Sequence, residues 1–167
     1  MIDRTAARFD GFLWFLWIMA TAWGWILGRI VFPAVLLVAA GIGVAVFQWL
    51  VLQRRMSRSW RWAAYTAAGW AAGALLALAA GQFEPSFVSG LLLGTTAGLA
   101  QWLVLRREVR WAFWWVPISA VGWSTGLGMA LAPLLAGVVA GAVTGIALVL
   151  LVHYPLGPRP AGIRGEP

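Results

Sequence analysis

Thr21, Thr66 and Ser119 each stand between two tryptophans, in Trp17-x-x-x-Thr21-x-x-x-Trp25, Trp62-x-x-x-Thr66-x-x-x-Trp70 and Trp115-x-x-x-Ser119-x-x-x-Trp123. A hydroxyl between indoles in an apolar stretch supports one kind of chemistry, the giving and taking of hydrogen bonds. Glycines complete the pattern as W-x-x-x-[S/T]-A-x-G-W-x-x-G, with Gly24 and Gly28, Gly69 and Gly73, and Gly122 and Gly126. Two amides, Gln48 and Gln101, sit in the intervening segments, each followed by an indole, Trp49 and Trp102.

Acid–base and metal chemistry need converging carboxylates, histidines or thiolates, and the chain is poor in all three. It has no cysteine, one histidine (His153) and five acidic residues: Asp3, Asp10, Glu84, Glu108 and Glu166. All five acids fall outside the long apolar segments. His153, at the end of one segment, reads as an interfacial polar residue, with axial ligation of a pigment as the sharper alternative. No phosphate loop, nucleophile elbow or zinc-protease motif is present. The expectation is a protein that is not an enzyme and has no cofactor.

Hydrophobic residues make up 62% of the chain and charged residues 10%. A soluble domain has about 45–50% apolar and about 25% charged residues, so the composition is that of a membrane protein. Spanning a bilayer takes roughly 20 apolar residues per helix. Six stretches qualify: Phe12–Phe32, Ala34–Leu52, Trp62–Gly81, Phe87–Leu105, Trp111–Leu131 and Pro133–Val152. Pro33, Glu84-Pro85 and Pro133 mark turns on one side, and two arginine-rich turns mark the other. The first stretch lacks a small-residue cleavage site and reads as a retained helix rather than a signal peptide.

Net charge is +7, and all twelve basic residues are arginine. Eleven of the twelve fall on one side of the predicted spans and Arg29 alone on the other. By the positive-inside rule both termini are expected in the cytoplasm of a bacterial inner membrane. This distribution reads as topology rather than nucleic-acid binding. Trp14, Trp49, Trp60, Trp62, Trp102, Trp111 and Trp114 cluster at the arginine side, where indoles favour the headgroup region. Arg29 and Glu84, in corresponding far-side turns, read as solvated, with pairing as the alternative. Pro117 is expected to kink the fifth helix just before Ser119.

The even segments repeat as well. Gly41-I-G-V-Ala45-V-F-Gln48-Trp49-L-V-Leu52 matches Gly94-T-T-A-Gly98-L-A-Gln101-Trp102-L-V-Leu105. Aligned on its glycines, Gly141-A-V-T-Gly145-I-A-Leu148-Val149 keeps the small residues and loses the Gln-Trp pair. The expected architecture is all-α: a single polytopic domain over 1–154, built as three tandem helical hairpins at about 11–53, 61–106 and 110–153, with a disordered tail at 155–167. In its Gln48-Trp49-L-V-L and Gln101-Trp102-L-V-L-Arg106-Arg107 segments, with the motif around them, the chain resembles small bacterial membrane proteins carrying tandem Q-W-x-x-L-R and G-W-x-x-G hairpins. The resemblance covers roughly Trp17–Leu150. It implies this architecture and carries no functional residues across.

At 100° per residue, Trp17, Thr21, Gly24 and Gly28 fall within about 60° of one helix face, and Trp25 flanks it by about another 40°. Small residues four apart let membrane helices approach closely, since lipid offers no hydrophobic drive for their association. The first reading is therefore packing, through Gly24, Gly28, Gly69, Gly73, Gly94, Gly98, Gly122, Gly126, Gly141 and Gly145. The protein would then be an accessory or scaffolding subunit with a membrane-protein partner or a second copy of itself. In the second reading the stripes face a pseudo-threefold axis. There Thr21, Thr66, Ser119, Gln48 and Gln101 would ring a ligand site walled by Trp25, Trp70 and Trp123, as in a small-molecule binding or transport component. A pigment or carotenoid carrier is a third possibility.

Overall fold

The computed structural model describes residues 9–31, 36–56, 59–129 and 135–152. Within them the protein is helical: α1 Gly11–Val31, α2 Leu36–Leu52, α3 Trp60–Ala79, α4 Phe87–Leu105, a 3-10 turn at Ala112–Trp114 leading into α5 Trp115–Gly128, and α6 Ala136–Val152. Three of these helices, α1, α3 and α4, are long and apolar enough to cross a membrane. The turns expected at Pro33 and Pro133, His153 and residues 154–167 lie outside the described residues.

Helix ends follow local chemistry. The Asp10 carboxylate accepts the backbone N–H of Leu13 at 2.9 Å and caps α1. Ser86 caps α4 by accepting from Ser89 N at 3.1 Å, while its own N–H donates to Ser89 Oγ at 2.8 Å. α3 ends with Gly81 at φ +72°, and Gln82 N–H reaches back to Ala77 O at 2.8 Å. That closure needs a left-handed residue, which glycine supplies without steric cost.

Pro117 does not kink a long fifth helix. It falls in the first turn of α5, where a missing N–H breaks no hydrogen bond, and the irregularity lies upstream in the 3-10 turn. The segment predicted from Trp111 therefore becomes α-helical only at Trp115.

Each helix packs on the next, and α6 closes on α1. Neighbours run antiparallel. Gly24 lies against Val44 and Gly28 against Ala40; Gly69 faces Ala97 and Gly73 faces Leu93. The outer face of this closed ring is apolar: Phe12, Phe15, Leu75, Val121 and Leu150 are each more than half exposed. The largest side chains on the inside are tryptophans. This inverts the usual soluble arrangement, in which exposed apolar patches are small.

Candidate functional site

The odd helices bring six indoles together at the centre of the ring. Trp17, Trp62 and Trp115 form one triad, with ring centroids 5.7, 6.0 and 5.5 Å apart and edge-to-face geometry. Trp25, Trp70 and Trp123 form a second, with centroids 6.2, 5.7 and 4.7 Å apart. Each tryptophan of the second triad follows one of the first by eight residues, so the triads are stacked about 12 Å apart along the bundle. Edge-to-face indole pairs add about 0.5–1.5 kcal/mol each beyond their buried area. Trp62, assigned from sequence to the interfacial belt, is instead completely buried in the first triad.

The hydroxyls and amides serve these rings. Trp62 Nε1–H donates to Gln48 Oε1 at 3.1 Å, and Trp115 Nε1–H donates to Gln101 Oε1 at 2.7 Å. Each amide then donates to the hydroxyl on its other neighbour: Gln48 Nε2 to Thr21 Oγ1 at 3.1 Å, and Gln101 Nε2 to Thr66 Oγ1 at 2.9 Å. Gln101 Nε2 also reaches Gln48 Oε1 at 3.4 Å. Thr21 Oγ1 donates back to Trp17 O at 2.9 Å. Of the residues predicted to ring a site, Thr21, Thr66, Gln48 and Gln101 are joined in this way, and Ser119 is buried beside Gly98. Trp25, Trp70 and Trp123 lie one level further along.

The third hydrogen bond of the set uses a residue that the sequence reading passed over. Trp17 Nε1–H donates to Thr144 Oγ1 at 3.0 Å, and Thr144 Oγ1 donates to Ala140 O at 2.7 Å. Thr144 thus stands where Gln48 and Gln101 stand in the other two pairs. The glycines agree. A Cβ on Gly137 would meet Thr21 O, Ala22 Cα and Trp25 Cβ, as one on Gly94 would meet Ser119 O, Ala120 Cα and Trp123 Cβ. Likewise Gly141 faces Ile18 and Thr21 as Gly98 faces Val116 and Ser119.

The register of α6 is therefore one turn away from the sequence alignment. Gly137 corresponds to Gly94, Gly141 to Gly98, Thr144 to Gln101 and Leu148 to Leu105. Leu148 does not replace a glutamine. It matches Leu52 and Leu105, all three of them buried at one end of the core. The Gly137-x-x-x-Gly141-x-x-Thr144 spacing could have shown this, because it repeats Gly94-x-x-x-Gly98-x-x-Gln101. Thr144→Val is expected to leave Trp17 with an orphan N–H and lower stability by about 1–3 kcal/mol. An unfolding titration in mixed micelles checks this, and the register read from sequence predicts no such effect.

The ten glycines assigned to packing all have neighbours within the chain: Gly24 and Gly28 on α2, Gly69 and Gly73 on α4, Gly94 and Gly98 on α5, Gly122 and Gly126 on α6, Gly141 and Gly145 on α1. Gly41 accepts the Trp70 ring itself.

Two buried donors among the described residues lack a partner, Trp70 Nε1 and Arg29 Nη1. Arg29 is half-buried and forms no ion pair with the exposed Glu84. Its guanidinium lies 5.1 Å from the centre of the Trp25 ring. A cation over an indole face gains about 0.5–2 kcal/mol. Among the described residues no three histidines or carboxylates approach one another. The arrangement can exchange hydrogen bonds and fill space. Comparison of the chain with protein-family models, curated proteins and solved structures gives no match.

Proposed function

We propose that this is a non-catalytic integral protein of a bacterial inner membrane, crossing it six times as three hairpins with both termini cytoplasmic, and serving as an accessory or scaffolding subunit. The observation that carries the reading is the mutual satisfaction of Trp17, Thr21, Gln48, Trp62, Thr66, Gln101, Trp115 and Thr144. Polar groups that bond one another inside an apolar-coated ring act as structural glue. The apolar exterior and the arginine asymmetry support membrane placement and orientation. The glycines are engaged within the chain, so a partner would meet the large outward side chains, such as Phe15, Leu76 and Ile146.

Native mass spectrometry of the protein released gently from its own membrane tests this. A protein partner or a second copy, without a small ligand, is the expected result, and a bare monomer counts against the accessory role. The second reading, a small-molecule binding or transport component, draws on the unpartnered Trp70 Nε1, which is 1% exposed. A reproducible extra mass of a few hundred daltons would favour it, provided that Trp70→Phe removes that mass.

A further inference from the structure

A groove of about 740 Å³ runs between α1 and α2 on the outer face of the ring. Its walls include Phe12, Met19 and Trp23 from α1 and Phe47 from α2, and its end is formed by Arg54 and Arg55. From Phe12 to Trp23 the helix rises about 16 Å, close to half of the ~30 Å hydrocarbon core of a bilayer. The groove therefore has the length of one leaflet, with cationic groups at the height of its headgroups.

The charges at that end are unequal. Arg55 is committed to Asp10, with Nη2 to Oδ2 at 3.1 Å, an ion pair about one-third to two-fifths exposed. Arg54, exposed beside it, has no carboxylate within ion-pair distance among the described residues. The equivalent faces of the other two helix pairs lack this combination. Where α1 and α2 have Met19, Trp23 and Phe47, the second pair has Ala64, Ala68 and Ala100, and Glu108 stands where Arg55 does. The third pair has Pro117, Val121 and Val143, with Leu150 at the position of Arg54.

From this we infer that the α1–α2 groove is a binding site for one anionic phospholipid of the arginine-side leaflet, its phosphate on Arg54 and an acyl chain lying along Phe12, Met19 and Trp23. The inference rests on the membrane-embedded reading above. An aromatic wall gives an acyl chain a fixed surface, and an unpaired guanidinium offers paired donors to phosphate oxygens. The bulk positive charge of the chain attracts anionic lipid everywhere along that side. The groove makes one position specific.

The test begins with alkaline carbonate extraction of membranes. Release into the soluble fraction would overturn the membrane reading, and the lipid site with it. Protein that stays with the membrane is then purified, delipidated in detergent and titrated with dioleoyl phosphatidylglycerol or dioleoyl phosphatidylcholine under native mass spectrometry. The first phosphatidylglycerol is expected to bind about fivefold more tightly than phosphatidylcholine, the ratio that one arginine near an anionic headgroup supplies. Arg54→Gln should abolish the preference, while Arg107→Gln, at the corresponding place in the turn after α4, should leave it intact. Equal binding of the two lipids, or equal losses in both variants, would overturn the groove as a site while leaving the membrane reading standing.

Discussion

Gly24→Ala is expected to destabilise the protein by about 3 kcal/mol, whereas Gly122→Ala, at the same position of the same motif, should be close to neutral. The reason lies in what each new methyl group meets. On Gly24 it would lie 2.5 Å from Val44 Cα, 2.6 Å from Val44 N and 2.7 Å from Gly43 C. These are backbone atoms of α2, which cannot rotate aside, and Gly43 itself abuts Gly24 O. The whole helix has to move, and the Gln48 to Thr21 hydrogen bond on the same interface moves with it. On Gly122 the nearest atoms are 3.4 Å or more away, which is ordinary contact. Unfolding in mixed micelles, followed by tryptophan fluorescence, compares the two variants directly. Equal effects would show that α1–α2 and α5–α6 are equally close and that this account of the packing is wrong.

Gln101→Leu should cost about 2–3 kcal/mol, and that cost should overlap with the cost of changing its partner. Gln101 Oε1 takes the Trp115 N–H at 2.7 Å, and Nε2 serves Thr66. Leucine fills much the same volume but leaves the Trp115 donor unsatisfied on a ring that is 1% exposed. In the double variant with Trp115→Phe the orphan donor is gone, so the two costs should fail to add by on the order of 1 kcal/mol. Additive losses would mean that the amide and the indole do not interact. Averages for hydrogen bonds within membranes are only about 0.6 kcal/mol. The larger figure here reflects the penalty of an orphan rather than the strength of the bond.

Both predictions depend on how far the chain could be read in advance. α4 was legible to the residue at both ends, because Glu84-Pro85 and the arginine turn are local signals. Six helices followed from apolar length and punctuation by proline and arginine. The fifth began later than its apolar stretch, since hydropathy does not distinguish a 3-10 turn from a helix. The convergence of Thr21, Thr66, Gln48 and Gln101 was the second of two readings that their spacing allowed. Missed was the role of Trp17, Trp62 and Trp115 as the rings these groups serve. A motif read along one helix does not show which neighbour its indole N–H will meet.

The register of α6 shows where sequence runs out. Gly137, Gly141 and Gly145 recur every four residues, so the segment matches itself when slid by one turn. Either alignment places small residues on the same face, and composition cannot choose between them. Contact chooses: only with Gly137 opposite Trp25 does Thr144 come within reach of the Trp17 N–H. The same holds for Gly24 and Gly122, identical in motif and unequal in crowding. The sequence by itself determined that the chain is helical and apolar, where the turns after α3 and α4 lie, and which polar residues recur at helical spacing. Tertiary structure decided which pairs of those residues meet, because a hydrogen bond or a steric clash depends on ångström-scale distances between helices, and periodicity along one helix carries no information about the position of the next.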